Sequence, residues 1–331
     1  MAKIFVSKAR PAPPWAAKRA GDDYGAPDAP DWRDADWRPH LHQVEIDGSS
    51  VNYVDYGEAS EGREPVVFVH GLGGCWQNWL ENIPRAAASG RRVLALDLPG
   101  FGFSEMPRGE ISISGYGRVL NELCDRLDLG EVVLVGNSMG GFVSAEVAIQ
   151  FPERVARLAL VSAAGITTND VGRRPIVAGF RIAAAIGTRT AAMSEQVVRR
   201  PRLRMPIYSS FIRHPSRIPT DLLYEVTRGA GRPGFMPALH AILDYDFRDR
   251  LCEIRCPTLI VWGSEDLLVP RNDADEFERL IQNSRKVIFK DTGHTAMLER
   301  PRPFNDCLLE FLEEEPTPPR SEEEVEAAGS R

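Results

Sequence analysis

Short apolar runs recur along the chain, and longer amphipathic segments separate them. Continuous runs rich in β-branched residues are typical of strands in a parallel sheet that is covered on both faces. The intervening segments have helix lengths, so the alternation predicts a doubly wound, mostly parallel α/β sheet with ligands at the carboxyl ends of its strands. The predicted strands are residues 65–70, 92–98, 132–136, 157–163, 257–263 and 286–290.

Two segments depart from this rhythm. Residues 42–58 alternate between apolar and polar positions around Asp47-Gly48, which predicts an antiparallel hairpin at one edge of the sheet. Residues 165–247 show no strand-like run and are rich in arginine and proline, so we expect a mainly helical cap over the site face. The core then comprises residues 42–164 and 248–313. We interpret the arginines of the cap as a solvated helical face rather than an anion site; they are Arg199, Arg200, Arg202 and Arg204.

Both ends of the chain lack periodicity. Residues 1–41 are rich in Pro, Asp, Ala and Trp, which predicts an extended arm that Trp15, Trp32 and Trp37 could pack onto the body. Residues 314–331 are acidic and broken by proline, which predicts a disordered, solvated tail.

The composition of the 331 residues is that of a globular protein, with 43% hydrophobic and 26% charged residues. A net charge of -7 gives no electrostatic case for nucleic-acid binding, and no apolar run has the length of a membrane span. We therefore expect a cytoplasmic protein that acts on a small molecule; the oligomeric state stays open. Five scattered cysteines are expected to be reduced core thiols rather than a disulfide framework or a zinc site: Cys75, Cys124, Cys252, Cys256 and Cys307.

A single serine lies where the apolar run 132–136 gives way to a helical pattern. Ser138 is flanked by Gly136 and Gly140 in a G-x-S-x-G sequence. A change from strand to helix within about three residues requires a sharp turn, which would raise the serine hydroxyl above the sheet. The alternative is an ordinary turn of small residues, but the strand before it and the helix after it favour a nucleophile.

A serine nucleophile needs a base, and the base needs a carboxylate. His294 follows the last predicted strand on a loop, whereas the other histidines lie before the fold begins, end the first core strand or fall in the cap: His40, His42, His70, His214 and His240. The carboxylate should come from another strand end, where Glu265 and Asp266 follow the run 257–263.

These motifs resemble the α/β-hydrolase family, whose acid loop commonly reads W-G-x-x-D-x-x-V-P, as residues 262–270 do here. The resemblance implies Asp266 as the acid, with Glu265 as its solvated neighbour, and gives the chain order Ser138, Asp266, His294. The family's oxyanion loop matches His70-Gly71-Leu72-Gly73-Gly74.

The oxyanion donors implied by this resemblance are the backbone amides of Leu72 and Met139, supported by His70, Gly71, Gly136 and Gly140. A phosphate-binding loop is the alternative, but the glycines have neither of the common nucleotide-binding spacings. Residues 97–104 match the family's D-x-P-G-x-G-x-S turn, which is structural, so Asp97 and Ser104 receive no catalytic part. The resemblance spans residues 42–313.

Serine at position 138 excludes the family's haloalkane dehalogenases and epoxide hydrolases, which place aspartate there. The expected activity is hydrolysis of carboxylic esters with apolar short-to-medium acyl or aryl groups through an acyl-enzyme, with no metal or organic cofactor. An alternative is C–C bond hydrolysis of a vinylogous keto-acid, because Gly-Asn-Ser-Met-Gly-Gly is similar to the sequence in hydrolases of aromatic meta-cleavage products. Those hydrolases usually have proline and tryptophan where this chain has Gly74 and Thr295. An alternative of another class is a ligand-sensing protein with a retained triad.

Overall fold

The computed structural model describes residues 9–315 except 168–195 and 197. Its strands are β1 (Leu41–Ile46), β2 (Ser49–Tyr56), β3 (Val66–Val69), β4 (Val93–Leu96), β5 (Val132–Asn137), β6 (Val155–Val161), β7 (Thr258–Gly263) and β8 (Ser284–Phe289). Its α-helices are α1 (Ile83–Ala87), α2 (Ile113–Arg126), α3 (Met139–Gln150), α4 (Pro201–Tyr208), α5 (Thr220–Thr227), α6 (Phe235–Asp244), α7 (Asn272–Leu280), α8 (Ala296–Glu299) and α9 (Pro301–Glu313).

The strands form one sheet in the order β1-β2-β4-β3-β5-β6-β7-β8. At one edge β1 and β2 form an antiparallel hairpin, and β2 also pairs antiparallel with β4. The remaining pairings of the sheet are parallel. The mostly parallel α/β sheet and each of the six predicted strands are therefore confirmed. The hairpin turns at Asp47 and Gly48, which have φ values of 49° and 72°.

Alternate residues of β3 belong to two separate apolar clusters, one on each face of the sheet. Val67 and Val69 pack on the face covered by α2 and α3, whereas Val66 and Phe68 pack on the face covered by α1 and α9. Because both faces are dry, both sets of side chains must be apolar. This double burial explains why the strands show continuous apolar runs rather than alternation.

The parallel register brings four loops to one edge of the sheet. Val69 at the end of β3 lies opposite Gly136 of β5, Asn137 lies opposite Val161, and Gly263 lies opposite Phe289. The segments that leave the carboxyl ends of β3, β5, β7 and β8 carry the site residues expected from the sequence, except Gly136, which lies within β5. Backbone pairing alone therefore places those loops side by side.

The described part of the insertion is helical and contains α4, α5 and α6, while residues 168–195 of the predicted cap lie outside the described residues. The prediction of a solvated arginine face is wrong for Arg204, whose side chain is buried. Its guanidinium donates to the carbonyls of Val198 at 2.6 Å and Ile218 at 2.9 Å. These hydrogen bonds replace the water that the buried charged group has lost. Arg199 and Arg200 are exposed.

The described part of the N-terminal arm, residues 9–40, runs over the body in short 3-10 turns. Trp32 is buried, and the ring of Trp37 packs against Tyr56 and Trp76. The expectation for Trp15 is wrong: its side chain is 60% exposed and lies under the Arg19 guanidinium. Two indoles, rather than three, anchor the arm.

The cysteines differ in burial from one position to another. Cys75 and Cys124 are buried, whereas Cys252 is exposed, so the expectation of a core thiol is wrong for Cys252. Within the described ranges no helix is long and apolar enough to cross a membrane, and no group of side chains is arranged to hold a metal ion. In the predicted acidic tail, the carboxylate of Glu314 forms an ion pair with the guanidinium of Arg285 at 2.8 Å. Residues 316–331 of the tail lie outside the described part.

Gly263, the last residue of β7, lies against the loop that follows β8. A Cβ atom at this position would lie 2.0 Å from the carbonyl oxygen of Gly293 and 2.4 Å from that of Thr292. Such distances are far inside van der Waals contact, and the opposing atoms are backbone. Only glycine permits these two loops to approach so closely.

We expect Gly263→Ala to lower the free energy of unfolding by about 1 to 3 kcal/mol, the usual cost of forced overpacking. Gly109→Ala is the matched control, because a Cβ atom there meets nothing within 4 Å. Urea unfolding of the two variants beside the parent protein measures the difference. Equal stability of the two variants would show that the backbones at Gly263 and Gly293 are not closely packed.

Candidate active site

Ser138 occupies the junction between β5 and α3 in a strained backbone conformation. Its φ and ψ are 55° and -117°, a combination that residues with a side chain rarely adopt. Its N–H donates to Val161 O at 2.9 Å, and its carbonyl accepts from Phe142 at 3.1 Å and Ala164 at 3.0 Å. These bonds hold the turn and leave the half-buried hydroxyl at the carboxyl edge of the sheet.

The glycines around Ser138 are required by close backbone contacts. A Cβ atom on Gly136 would lie 2.2 Å from Gly140 O, and one on Gly140 would lie 2.2 Å from Val69 O. Larger residues would push α3 away from the sheet. At Gly71 a Cβ atom would lie 3.1 Å from the Cβ of Ser138, which shows how closely the loop after β3 approaches the serine.

His294 and Asp266 are brought together by the loops after β8 and β7. Nδ1 of His294 lies 2.8 Å from Oδ2 of Asp266, and both side chains are almost fully buried. The other carboxylate oxygen accepts the backbone N–H groups of Leu268 at 2.9 Å and Val269 at 3.0 Å. A carboxylate that accepts at Nδ1 favours the tautomer with a lone pair on Nε2, which is the form needed for a base.

The loop that carries His294 is tied directly to the serine turn. The side-chain amide of Asn137 donates to His294 O at 3.2 Å and to Val161 O at 3.0 Å. Among the hydrogen bonds of the described residues none joins the Ser138 hydroxyl to His294, and such bonds are often long before a substrate is bound. The structure thus forms the predicted Asp266–His294 bond and ties the loop of His294 to the turn at Ser138 through Asn137.

The two predicted oxyanion donors lie on either side of the serine turn. Met139 is the first residue of α3, and Leu72 follows Gly71 in the loop after β3. Neither backbone N–H donates to an acceptor in the described part of the chain. An amide without an acceptor in the folded chain is what an oxyanion donor requires.

His70 supports the loop that contains Leu72. Its ring is fully buried; Nδ1 donates to Gly71 O at 2.7 Å, and Nε2 accepts the Leu98 N–H at 3.0 Å. Burial lowers the pKa of His70 to about 4, because the charged imidazolium would lose its hydration. The neutral ring is also the only form that can make both hydrogen bonds.

Asp97 and Ser104 hold the turn after β4. The Asp97 carboxylate accepts from Trp76 N at 2.8 Å, Phe103 N at 2.9 Å and the side chain of Asn52 at 2.9 Å. Burial raises its pKa to about 6, although these hydrogen bonds oppose the shift. All of these contacts are internal, as expected for a structural turn.

Glu265, the neighbour of Asp266, is separate from the cluster. Its carboxylate is about one-third exposed and lies 3.6 Å from the Arg213 guanidinium. The structure also shows a buried carboxylate that the sequence analysis missed: Glu299 accepts the N–H groups of Gly293 and Thr295, on both sides of His294. One sequence offers no signal for it beyond an acidic residue shortly after His294.

A sequence profile of the α/β hydrolase fold matches residues 64–301, which is more than half of the chain. The chain belongs to the α/β-hydrolase family. The profile covers every site residue named above, from His70 to Glu299. The family assignment and the strand order therefore support the same fold.

This α/β hydrolase is similar to proteins of several activities. The 2-hydroxy-6-oxononadienedioate/2-hydroxy-6-oxononatrienedioate hydrolase of Escherichia coli K12 is 32% identical over 286 residues, 81% of this chain and 93% of the relative. A solved serine hydrolase involved in carbazole degradation (CarC) has a TM-score of 0.64 at 25% identity, covering 82% of this chain and 98% of that one. The N-acyl homoserine lactone degrading enzyme Est816 has a TM-score of 0.63 at 25% identity, and the match covers 82% of this chain and 100% of that one.

The His70 ring of this α/β hydrolase should stay neutral in mildly acidic solution. Its pKa of about 4 lies below the value of about 6.5 for an unfolded chain, so between these values only the unfolded chain binds a proton here. Stability linked to His70 is therefore present above about pH 6.5 and is lost as the pH falls toward about 4. We expect the His70 imidazole NMR signals, assigned with His70→Gln, not to shift between about pH 8 and about pH 5. A titration midpoint in that interval would contradict the burial of the ring.

Proposed function

We propose that Ser138, His294 and Asp266 form a catalytic triad in which Ser138 is the nucleophile. The 2.8 Å contact between His294 Nδ1 and Asp266 Oδ2 supports this proposal, together with the strained turn at Ser138. In the reaction, His294 Nε2 takes the hydroxyl proton as Ser138 Oγ attacks a carbonyl carbon. Asp266 stabilises the imidazolium that results.

The amides of Leu72 and Met139 are proposed as the oxyanion hole. The attacked carbonyl oxygen gains negative charge, and two fixed N–H donors lower the energy of that state more than that of the ground state. Loss of one such donor typically costs about 3 to 4 kcal/mol in the barrier. Water then attacks the acyl-enzyme, with His294 as the base again, and releases a carboxylic acid.

For the substrate, the proposal is a vinylogous keto-acid that is cleaved at the C–C bond beside its ketone. The observation that carries it is the 32% identity to the E. coli 2-hydroxy-6-oxononadienedioate hydrolase across 81% of this chain, which favours the alternative over the expected ester. In such a substrate the 2-hydroxyl proton moves to C5 as the conjugated enol becomes a ketone. Attack at C6 then breaks the C5–C6 bond, and the electron pair is delocalised into a dienolate. The C5 proton stays on carbon, and the dienolate oxygen takes the proton that His294 received from Ser138.

The balance of this reaction needs one water molecule and no oxidant or reductant. The fragment from C6 leaves as a carboxylic acid, and the other leaves as a 2-hydroxydienoate. The triad that serves an ester thus also serves this cleavage, since both reactions begin with addition to a carbonyl. The difference lies in the leaving group, a stabilised carbanion instead of an alkoxide.

An ester hydrolase is the second candidate, because two positions differ from the C–C hydrolases that the chain resembles. Gly74 N–H donates to Gly71 O at 3.0 Å, a bond that proline cannot make. The hydroxyl of Thr295 lies 3.4 Å from Phe211 O and 3.3 Å from Glu299, where tryptophan would make neither contact. Both residues stabilise loops here, so neither of them selects the leaving group. In this proposal the shape of the cap selects it.

The two candidates are separated by comparing kcat/KM for a 2-hydroxy-6-oxodienoate and for a neutral aryl ester with a four- to eight-carbon acyl chain. We expect faster cleavage of the dienoate. Ser138→Ala should lower kcat for both substrates by about 10⁶-fold. Ser144→Ala, which removes a fully buried hydroxyl from α3, the helix that follows Ser138, is the matched control and should keep full activity.

Each other outcome has a distinct meaning. A faster ester reaction would replace the C–C proposal by the second candidate and keep the triad. One covalent event per chain without turnover would favour the ligand-sensing alternative. Full activity in Ser138→Ala would show that Ser138, His294 and Asp266 do not act as a catalytic triad.

A further inference from the structure

The loop that carries His294 is held by a carboxylate that accepts hydrogen bonds on both sides of the histidine. Oε2 of Glu299 accepts the N–H of Gly293 at 2.9 Å, and Oε1 accepts the N–H of Thr295 at 3.1 Å. Glu299 is fully buried at the end of α8. The position of His294 therefore depends on where this carboxylate is fixed.

A segment of the insertion, residues 211–214, packs against the same loop. Phe211 O accepts the N–H of His294 at 2.9 Å, and the N–H of Arg213 donates to Glu299 Oε2 at 2.9 Å. A Cβ atom on Gly293 would lie 2.9 Å from Arg213 N, which shows how tightly the two backbones are packed. The insertion thus contributes backbone groups to the surroundings of His294.

Tyr24 of the N-terminal arm joins these two parts. Its hydroxyl donates a hydrogen bond to Glu299 Oε2 and accepts the N–H of His214 at 2.8 Å. Its ring, only 2% exposed, meets the edge of the His214 ring with centroids 5.0 Å apart. The next residue, Gly25, donates its N–H to the carbonyl of Glu299 at 2.7 Å.

The chemistry of this contact requires a phenol and a carboxylate. Burial raises the pKa of Tyr24 well above its usual value, so the hydroxyl keeps its proton and can donate. Every group around Glu299 named above is a donor, and an ionised carboxylate is a pure acceptor. A glutamine in place of Glu299 would direct its amide N–H groups at neighbouring groups that are themselves donors.

The arm is attached at further points, so Tyr24 is not an isolated contact. Arg33 forms an ion pair with Asp221 of α5 and lies 3.4 Å from the buried carboxylate of Glu81. The side chain of Asn305 in α9 donates to Asp28 at 2.9 Å. The arm therefore spans from the insertion to the core, and it lies outside residues 64–301 that match the family.

We propose that Tyr24 is a positioning residue for His294, acting through Glu299, and that the N-terminal arm is thereby part of the active-site framework. Tyr24 touches neither the reacting atoms nor the triad. It fixes the carboxylate that sets the loop, and the loop sets the direction of His294 Nε2. The effect on turnover rests on the proposed function, whereas the effect on the loop does not.

The test uses the full chain with Tyr24→Phe and Glu299→Gln. Amide exchange in the peptide spanning residues 290–298 should become about fivefold faster in Tyr24→Phe, the factor that corresponds to one hydrogen bond of average strength. In the same variant kcat should fall by about tenfold, with KM unchanged, because a misdirected base slows the chemistry and not binding. Glu299→Gln should show both effects more strongly.

Tyr116→Phe is the matched control, since it removes a buried hydroxyl that donates to Pro99 O at 2.9 Å away from the histidine loop. It should change neither the exchange of that peptide nor kcat. Equal effects in Tyr116→Phe and Tyr24→Phe would overturn the proposal, and so would unchanged exchange in Tyr24→Phe. Faster exchange with unchanged kcat would show that Tyr24 stabilises the loop but does not position His294 for the reaction, which would also overturn the proposal. If the parent protein cleaves neither substrate, the proposed function fails, and the exchange comparison still decides whether Tyr24 holds the loop.

Discussion

The strained turn at Ser138 is the constraint on which the rest of the site depends. A positive φ in a residue with a side chain costs on the order of 1 to 3 kcal/mol, and it persists only where the surrounding structure fixes it. Here the fixing groups are the carbonyl of Val161, the amides of Phe142 and Ala164, and the close contact between Gly140 and the end of β3. All of them depend on the parallel pairing of β3, β5 and β6, whose buried apolar residues each contribute about 1.5 to 3 kcal/mol. The core thus stabilises a turn that would otherwise relax.

The same pairing explains how much of the molecule could be predicted from its sequence. Strands that are buried on both faces leave continuous apolar runs, which are local and easy to find. The turn at Ser138 is also local, because strand, serine, flanking glycines and helix follow one another directly. His294 and Asp266 are 28 residues apart, and their contact was predicted from a family pattern and the rule that parallel strands end at one edge.

Other features depend on contacts between distant segments and have no local signal. Arg204 was expected in water, but loop carbonyls from residues 198 and 218 surround its guanidinium. Tyr24 and Glu299 are separated by 275 residues, and nothing in the sequence of the arm indicates that it reaches the histidine loop. The substrate class has no local signal either, because the proposed triad suits an ester and a keto-acid alike.

The central claim is that Ser138 is activated by His294, and covalent labelling tests it most directly. A reactive aryl phosphonate needs no knowledge of the natural substrate, because it reacts wherever an activated oxygen lies beside oxyanion donors. Peptide mapping after such labelling should find one adduct, on Ser138, and the adduct should form far more slowly in His294→Ala. An adduct on another serine, or undiminished labelling without His294, would contradict the account.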